Sequence, residues 1–433
     1  MTRGRLSFWL ASVTLLACLS VQGLAARTLD VAAGQGALQA ALASAAPGDV
    51  LVLARGDHAG PVTIDRPLVL EGEPGARIVG DGTGSVVTIT APDVTVRGLE
   101  LTGSGLSHDT MDSGVSVQPE AHRALIENNR LHDNLVGVHL KGPDDAIVRA
   151  NTIEGRLDLR MNDRGNGVYV WNTPGSRVEG NLIRYGRDGI FVNTSRDNVF
   201  ADNRFEQLRF AIHYMYCNHS QVTGNVSIGN EIGYALMFSK HLVVENNVSI
   251  GDRQHGVMFN YANSSQVAGN YVRGDGGEKC VFLYNSNKNA IIGNWFEACE
   301  IGIHFTAGSE RNQIADNAFI GNRTQVKYVG SRDLDWSADG RGNYWSDHPA
   351  YDLDGDGFAD AVYRPNDLVD QIMWREPLAK LLVSSPVVQL LRWAQAEFPA
   401  LLPGGVIDSA PLMAPVMPDV PPPDVLTSEE VAG

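Results

Sequence analysis

The run His213-Tyr-Met215-Tyr-Cys217 places three soft donor side chains at alternate positions, and Met237 and Met258 follow at intervals of 22 and 21 residues. Alternate residues of an extended strand share a face, so His213, Met215 and Cys217 point the same way. Imidazole, thioether and thiolate, with no carboxylate among them, form the donor set that Cu(I) prefers; Ca2+, Mg2+ or Mn2+ would want oxygen. Packing accounts for the same residues in another way. Methionine fills irregular apolar gaps, and an outer groove covered by another segment would hold this set without a metal. Taken alone, the residues leave both readings open. His219, His241 and His255 fall nearby at turn positions and read as surface or capping histidines.

A second constellation is Asp352-Leu-Asp354-Gly-Asp356-Gly-Phe-Ala-Asp360. Oxygen ligands at positions one, three, five and nine, with glycine at six, match the front of a calcium loop. This spacing predicts a structural Ca2+ on Asp352, Asp354, Asp356 and Asp360 that locks the surrounding segment. Tyr363 stands where the bidentate acid would be, so Asp367 or Asp370 would have to replace it. A solvated acidic turn is the alternative. No nucleophile elbow, phosphate-binding loop or zinc motif is present. Asp158, Arg160, Asp163 and Arg164, with Arg187 and Asp188, form the one dense charged group near the soft residues. Mixed signs at such spacing read as surface ion pairs.

The elements that must position these residues are announced by asparagine. Asn129, Asn151, Asn181, Asn203, Asn225, Asn247, Asn270, Asn294 and Asn317 recur at 22 to 24 residues, apart from one interval of 30. A small residue followed by alternating apolar positions runs in step, as in Gly189-Ile-Phe-Val and Gly256-Val-Met-Phe. A fixed short period with strand-like content means a solenoid. The expected fold is all-β, a right-handed parallel β-helix of about 22-residue coils and roughly 13 or 14 turns over residues 27–330, a column of about 65 Å. Each asparagine would bond to the next along the column and take the left-handed backbone of a sharp corner. Positions one and three after the marker should point inward, and positions two and four outward. Met237 then lies beside Met215 one coil on, and Met258 lies one coil further in the neighbouring column. Gln35 to Ala46 reads as a helix that caps the first coil. Residues 157–165 fill the long interval as an inserted loop.

The two ends bound the rest. Arg3, Arg5, an apolar stretch and small residues at Gly23, Ala25 and Ala26 predict a secretory leader over residues 1–26. Its removal takes two arginines away and moves the formal charge from -16 to -18. Leu-Ala-Cys18 offers a lipoprotein alternative. No later stretch is long and uncharged enough to span a bilayer. The acidity of the chain argues against nucleic acid as a partner, because phosphate binding needs a basic face. Three cysteines would remain; Cys280 and Cys299 could pair across adjacent coils, or all three could be buried thiols. Residues 331–376, rich in Asp, Trp and Gly, should cap the bottom coil. Residues 377–433 read as amphipathic helices and a Pro- and Met-rich extended tail suited to docking on a membrane partner. Trp393 and Phe398 in the helices, and Leu412, Met413 and Met417 in the tail, are the candidate contacts.

Several stretches bear a family resemblance. They are LQAALASAAPGDVLVLARGDHAG near the start, the coils NNR…GVHL and YGRDGIFV, HYMYCNHS, and RGNYWSDHPAYDLDGDGFADAVYRPND at the close. Through them the chain resembles, over its whole length after the leader, the NosD family of periplasmic accessory proteins for copper-site maturation of nitrous oxide reductase. The closing stretch is the most specific. The resemblance implies a protein that catalyses nothing. It implies a complex with an ABC transporter made of membrane and ATPase subunits, a membrane-anchored copper chaperone as donor, and nitrous oxide reductase as client. The expected location is the periplasm, held at the inner membrane through the partner. The resemblance turns the soft cluster toward a transient Cu(I) site on His213, Met215, Met237 and Met258, with Cys217 as a further candidate. No family motif fixes these ligands; the outward columns select them. Two readings compete: a polysaccharide-binding or lyase/epimerase protein on the same fold, and a metal-free scaffold between transporter and client.

Overall fold

The computed structural model describes residues 26–330, 332–366, 368–382, 385–398 and 405–421. All but the last residue of the expected leader, and Asp367, lie outside them. Each coil contributes three short strands, and every strand pairs in parallel with its counterpart on the next coil. The result is three sheets of 13, 12 and 13 strands, a right-handed parallel β-helix as the asparagine period predicts. Apolar side chains at alternate strand positions fill the interior; Ile190, Ile212, Tyr234 and Val257 stack in register on successive coils and are buried.

The asparagine column is a hydrogen-bonded ladder. The Asn203 side-chain amide donates to Asn225 Oδ1 at 3.0 Å, and Asn225 to Asn247 at 3.0 Å. Each Oδ1 also accepts the backbone N–H of the asparagine one coil earlier. Buried corner amides are thereby satisfied. The ladder residues themselves do not take the left-handed corner. The residue before each one does, with φ of 55° at Asn128, 53° at Ala150 and 55° at Asp202. The left-handed turn thus lies one position earlier than the asparagine period alone suggests.

Helix α1, Ala37–Ser44, covers the first coil with Leu38 and Leu42 buried. At the other end the ladder gains a tenth member, Asn343, and ends on Asp408. Asp408 Oδ2 accepts the Asn343 N–H at 2.7 Å and the Trp345 Nε1–H at 2.7 Å. The tail therefore returns to the column. Val406–Ile407 pairs with Leu334–Asp335, Leu412 N–H donates to Asn343 O, and Met413 N–H donates to Gly357 O. Leu412 is buried, and Val420 packs against Val248, Ile250 and Tyr271 on the third sheet. This corrects the expectation that Leu412 and Met413 reach into a partner. They dock on their own cap, because Asp408 supplies the acceptor the ladder end needs. Met417 stays exposed. Helices α2, Leu368–Arg375, and α3, Pro386–Glu397, precede the returning tail. Cys280 and Cys299 form a disulfide, and Cys217 remains a buried free thiol.

Candidate metal-binding face

The 12-stranded sheet carries the soft residues on its outer surface, and its register fixes their order. One column runs Phe191, His213, Ala235, Met258, Phe282, His304; the next runs Asn193, Met215, Met237, Asn260, Tyr284. Met215 and Met237 are register partners, and Met258 follows Ala235 one coil on. The expected neighbours are thus brought together, except one. Cys217 faces the interior and is fully buried. Tyr216 adopts φ 60°, which breaks the strand alternation between Met215 and Cys217. Asn198 and Ser220 surround the thiol, and burial pushes it up to about 12, so it offers no thiolate at neutral pH.

His213 has a partner that the sequence did not announce. Its Nδ1 lies 3.0 Å from Asp188 Oδ2, on a carboxylate with no exposed surface. Arg209 grips the same carboxylate through two bonds of 2.8 and 2.6 Å. Burial alone would raise the Asp188 pKa, but the hydrogen bonds from His213 and Arg209 win and hold it below the usual carboxylate value. An ionised carboxylate only accepts, so His213 Nδ1–H donates to it and Nε2 is the nitrogen left to meet a metal. A metal-binding histidine is oriented in this way by a carboxylate behind it. The Phe191 and Phe210 rings, 4.8 and 4.9 Å from the imidazole, fix its plane. Asp188 is therefore no surface ion pair. Its place directly before the marker Gly189 was the available signal.

His255 is a second correction. It is buried on the first position of strand His255–Asn260, not held at an exposed turn. Burial pushes its pKa down to about 4, so it is neutral at physiological pH, and Nδ1 faces Gln254 O. His219 and His241 do sit at corners, stacked at 4.7 Å.

Ala235 completes the arrangement. Its column holds Phe, His, Met and Phe on the surrounding coils, and its methyl group is fully buried beside Met258, with Phe210, Met237 and Phe282 packed against the pair. Met215 and Met237 are half-buried and Met258 is buried, so the donors are shielded without being sealed. Imidazole and thioethers gathered on one partly shielded face suit a soft monovalent cation.

The aspartate loop is formed in part. Carboxylate oxygens of Asp352, Asp354 and Asp356 lie within 4.8 Å of one another, and the Asp356 charge raises the pKa of Asp354. Asp360 is not in that group; it accepts the Leu353 N–H at 2.8 Å. Tyr363, at position twelve, is buried against Trp345 and donates to Asp347.

Fold and face together define a parallel β-helix protein with a soft-donor outer surface. Solved structures share the fold. The mannuronan C-5 epimerase AlgE6 A-module of Azotobacter vinelandii superposes with a TM-score of 0.56 at 15% identity, covering 68% of this chain and 90% of that one. The surface adhesin PfbA of Streptococcus pneumoniae gives 0.53 at 10% identity, covering 69% and 88%. A family profile described as periplasmic copper-binding protein (NosD) matches residues 150–350. The chain is 44% identical over 374 residues to the probable ABC transporter binding protein NosD of Stutzerimonas stutzeri, covering 83% of this chain and 86% of that one. It is also 44% identical to the protein of the same name in Pseudomonas aeruginosa, covering 83% and 87%. The chain belongs to the NosD family.

Proposed function

We propose that this protein is a non-catalytic periplasmic carrier that holds Cu(I) transiently and passes it on for copper-site maturation of nitrous oxide reductase. His213 held by Asp188 on the outer face, with Met215 on the same strand and Met237 and Met258 on the next two coils, supports this reading most strongly. His255 is an additional donor. The cargo is copper; the protein's part is to present a neutral imidazole nitrogen and thioethers. Few adaptable ligands favour release over storage. Copper would come from a membrane-anchored chaperone and leave to the reductase.

Docking on an ABC transporter is assigned to helix α3. Val387, Leu390, Trp393 and Phe398 are 66, 62, 57 and 59% exposed. An amphipathic helix with its apolar side in solvent is a surface that awaits a partner. Through it the protein would sit at the periplasmic face of the inner membrane, on the transporter's membrane subunit, whose ATPase subunit lies across the bilayer. Among the described residues no helix is long and apolar enough to cross a membrane. Asp352, Asp354 and Asp356 are proposed to take a structural Ca2+ that stiffens the cap.

The test is an anaerobic Cu(I) competition titration of the full chain without its leader against the Met215→Leu/Met237→Leu variant. The parent should bind one Cu(I), and the variant should lose it with an unchanged circular dichroism spectrum. Competition by neither protein sinks the carrier reading and leaves the metal-free scaffold, and equal competition by both places the metal away from these methionines.

A further inference from the structure

Beside Met215 and Met237 the chain turns a corner, and the corner residues are aromatic. Tyr216, Phe238 and Tyr261 are 52, 37 and 44% exposed. Their rings stack along the column, at 5.3 Å and 26° for the first pair and 5.4 Å and 8° for the second. All three adopt left-handed backbone, with φ of 60°, 49° and 53°. The coils on either side put Asn172, Thr194 and Asn285 at the same position. Bulky side chains are disfavoured there, whereas asparagine is accepted cheaply. Three strained residues that expose apolar rings gain nothing for folding, and strain retained at a surface points to use.

The edge beyond the stripe is basic in a chain of net charge -16. Lys240, Lys288 and Arg311 are exposed and make no ion pair among the described residues. Lys288 and Arg311 line a cleft of about 520 Å³ that begins at Asn263, two residues past Tyr261; the acid in its lining, Glu310, is paired with Arg332. The faces between the three rings are spent on one another and the Tyr284 ring meets Tyr261 edge-on at 5.8 Å, so the stripe presents mainly ring edges outward. Sugar rings stack on faces; side chains of a protein pack well against edges.

We propose that Tyr216, Phe238 and Tyr261, with Lys240, Lys288 and Arg311, form the docking surface for an acidic protein that accepts Cu(I) from Met215 and Met237. The inference rests on the carrier reading for its cargo, and on the stripe and its charges for the surface. The stripe adjoins the two methionines on the same strands, so a partner seated there reaches the metal without dissociating. Unpaired cations steer an acidic surface and fix its register.

The test uses apo nitrous oxide reductase as the probe, with binding measured by interferometry at low and moderate salt. The variants are Tyr216→Asn/Phe238→Asn/Tyr261→Asn and Lys240→Glu/Lys288→Glu/Arg311→Glu. The parent should bind in a salt-sensitive manner, and each variant should bind at least tenfold more weakly. Cu(I) affinity should stay unchanged, and the asparagine variant should melt no lower than the parent. Undiminished binding by the variants, no binding by the parent, or a parent dimer that the asparagine variant abolishes overturns the proposal. A parent that binds the probe through the stripe yet takes no Cu(I) sinks the carrier reading alone.

Discussion

Asp188 holds His213 Nδ1 and Phe191 and Phe210 hold the ring, so Nε2 is the nitrogen left for a metal. Replacing Asp188 with Asn keeps the shape and removes the charged acceptor, so Cu(I) affinity should fall about 10- to 100-fold in a competition titration. Ala235→Leu alters no donor but crowds Met237 and Met258, which pack against this fully buried methyl group, and should weaken Cu(I) to a comparable extent. Retention of full affinity by both variants places the metal elsewhere. A different buried acid governs stability. Asp252 is held up at about 6 by burial, against hydrogen bonds from Ser249, Ser227 and the Asn230 N–H. A folded pKa above the unfolded value of 3.8 favours the native state below that value and costs stability as pH rises through 6. Asp252→Asn should therefore stabilise the protein by about 2 to 3 kcal/mol at pH 7. The gain should vanish near pH 3.5, as read from urea midpoints at the two pH values. The soft residues were legible in the sequence because alternation and a fixed period place them. Cys217 was misread because nothing in the sequence marks Tyr216 as left-handed. Asp188 was misread because charge alone does not reveal burial.

At the scale of the element, the asparagine ladder binds coil to coil. Asn225 accepts from Asn203 and donates to Asn247 and to Phe200 O. Asn225→Ala orphans several buried groups at once, and should cost about 2 to 4 kcal/mol in equilibrium unfolding. A loss under 0.5 kcal/mol would mean that water or a shifted corner replaces the bonds. The ladder was legible from spacing alone, since one residue type returning at one interval puts identical side chains on top of one another. Its end was not. Asp408 meets Asn343 across 65 residues of sequence, with the aspartate loop and helices α2 and α3 between. A tail read as unpacked thus proves to be the stopper of the column. The disulfide was one of two open readings, because cysteine spacing cannot distinguish a bond from two buried thiols.

The whole molecule separates its tasks along its length. The outer face of the middle coils carries the soft donors and the aromatic stripe, the aspartate loop lies in the cap, and α3 offers an apolar side near the C-terminal end. Deleting residues 385–398 should abolish co-purification with the transporter's membrane subunit while Cu(I) affinity stays within twofold. Persistent co-purification moves the membrane contact to another surface. Helix existence and amphipathic character were legible, but which side stays bare was not, because that depends on what the rest of the chain leaves uncovered. The central claim, that copper sits on thioethers and imidazole at the outer face, is tested most directly by X-ray absorption on the anaerobic Cu(I)-loaded protein. The spectrum should show a mixed sulfur and imidazole-nitrogen shell whose sulfur part shrinks in Met215→Leu/Met237→Leu. A shell of oxygen and nitrogen without sulfur, unchanged by that substitution, would contradict it.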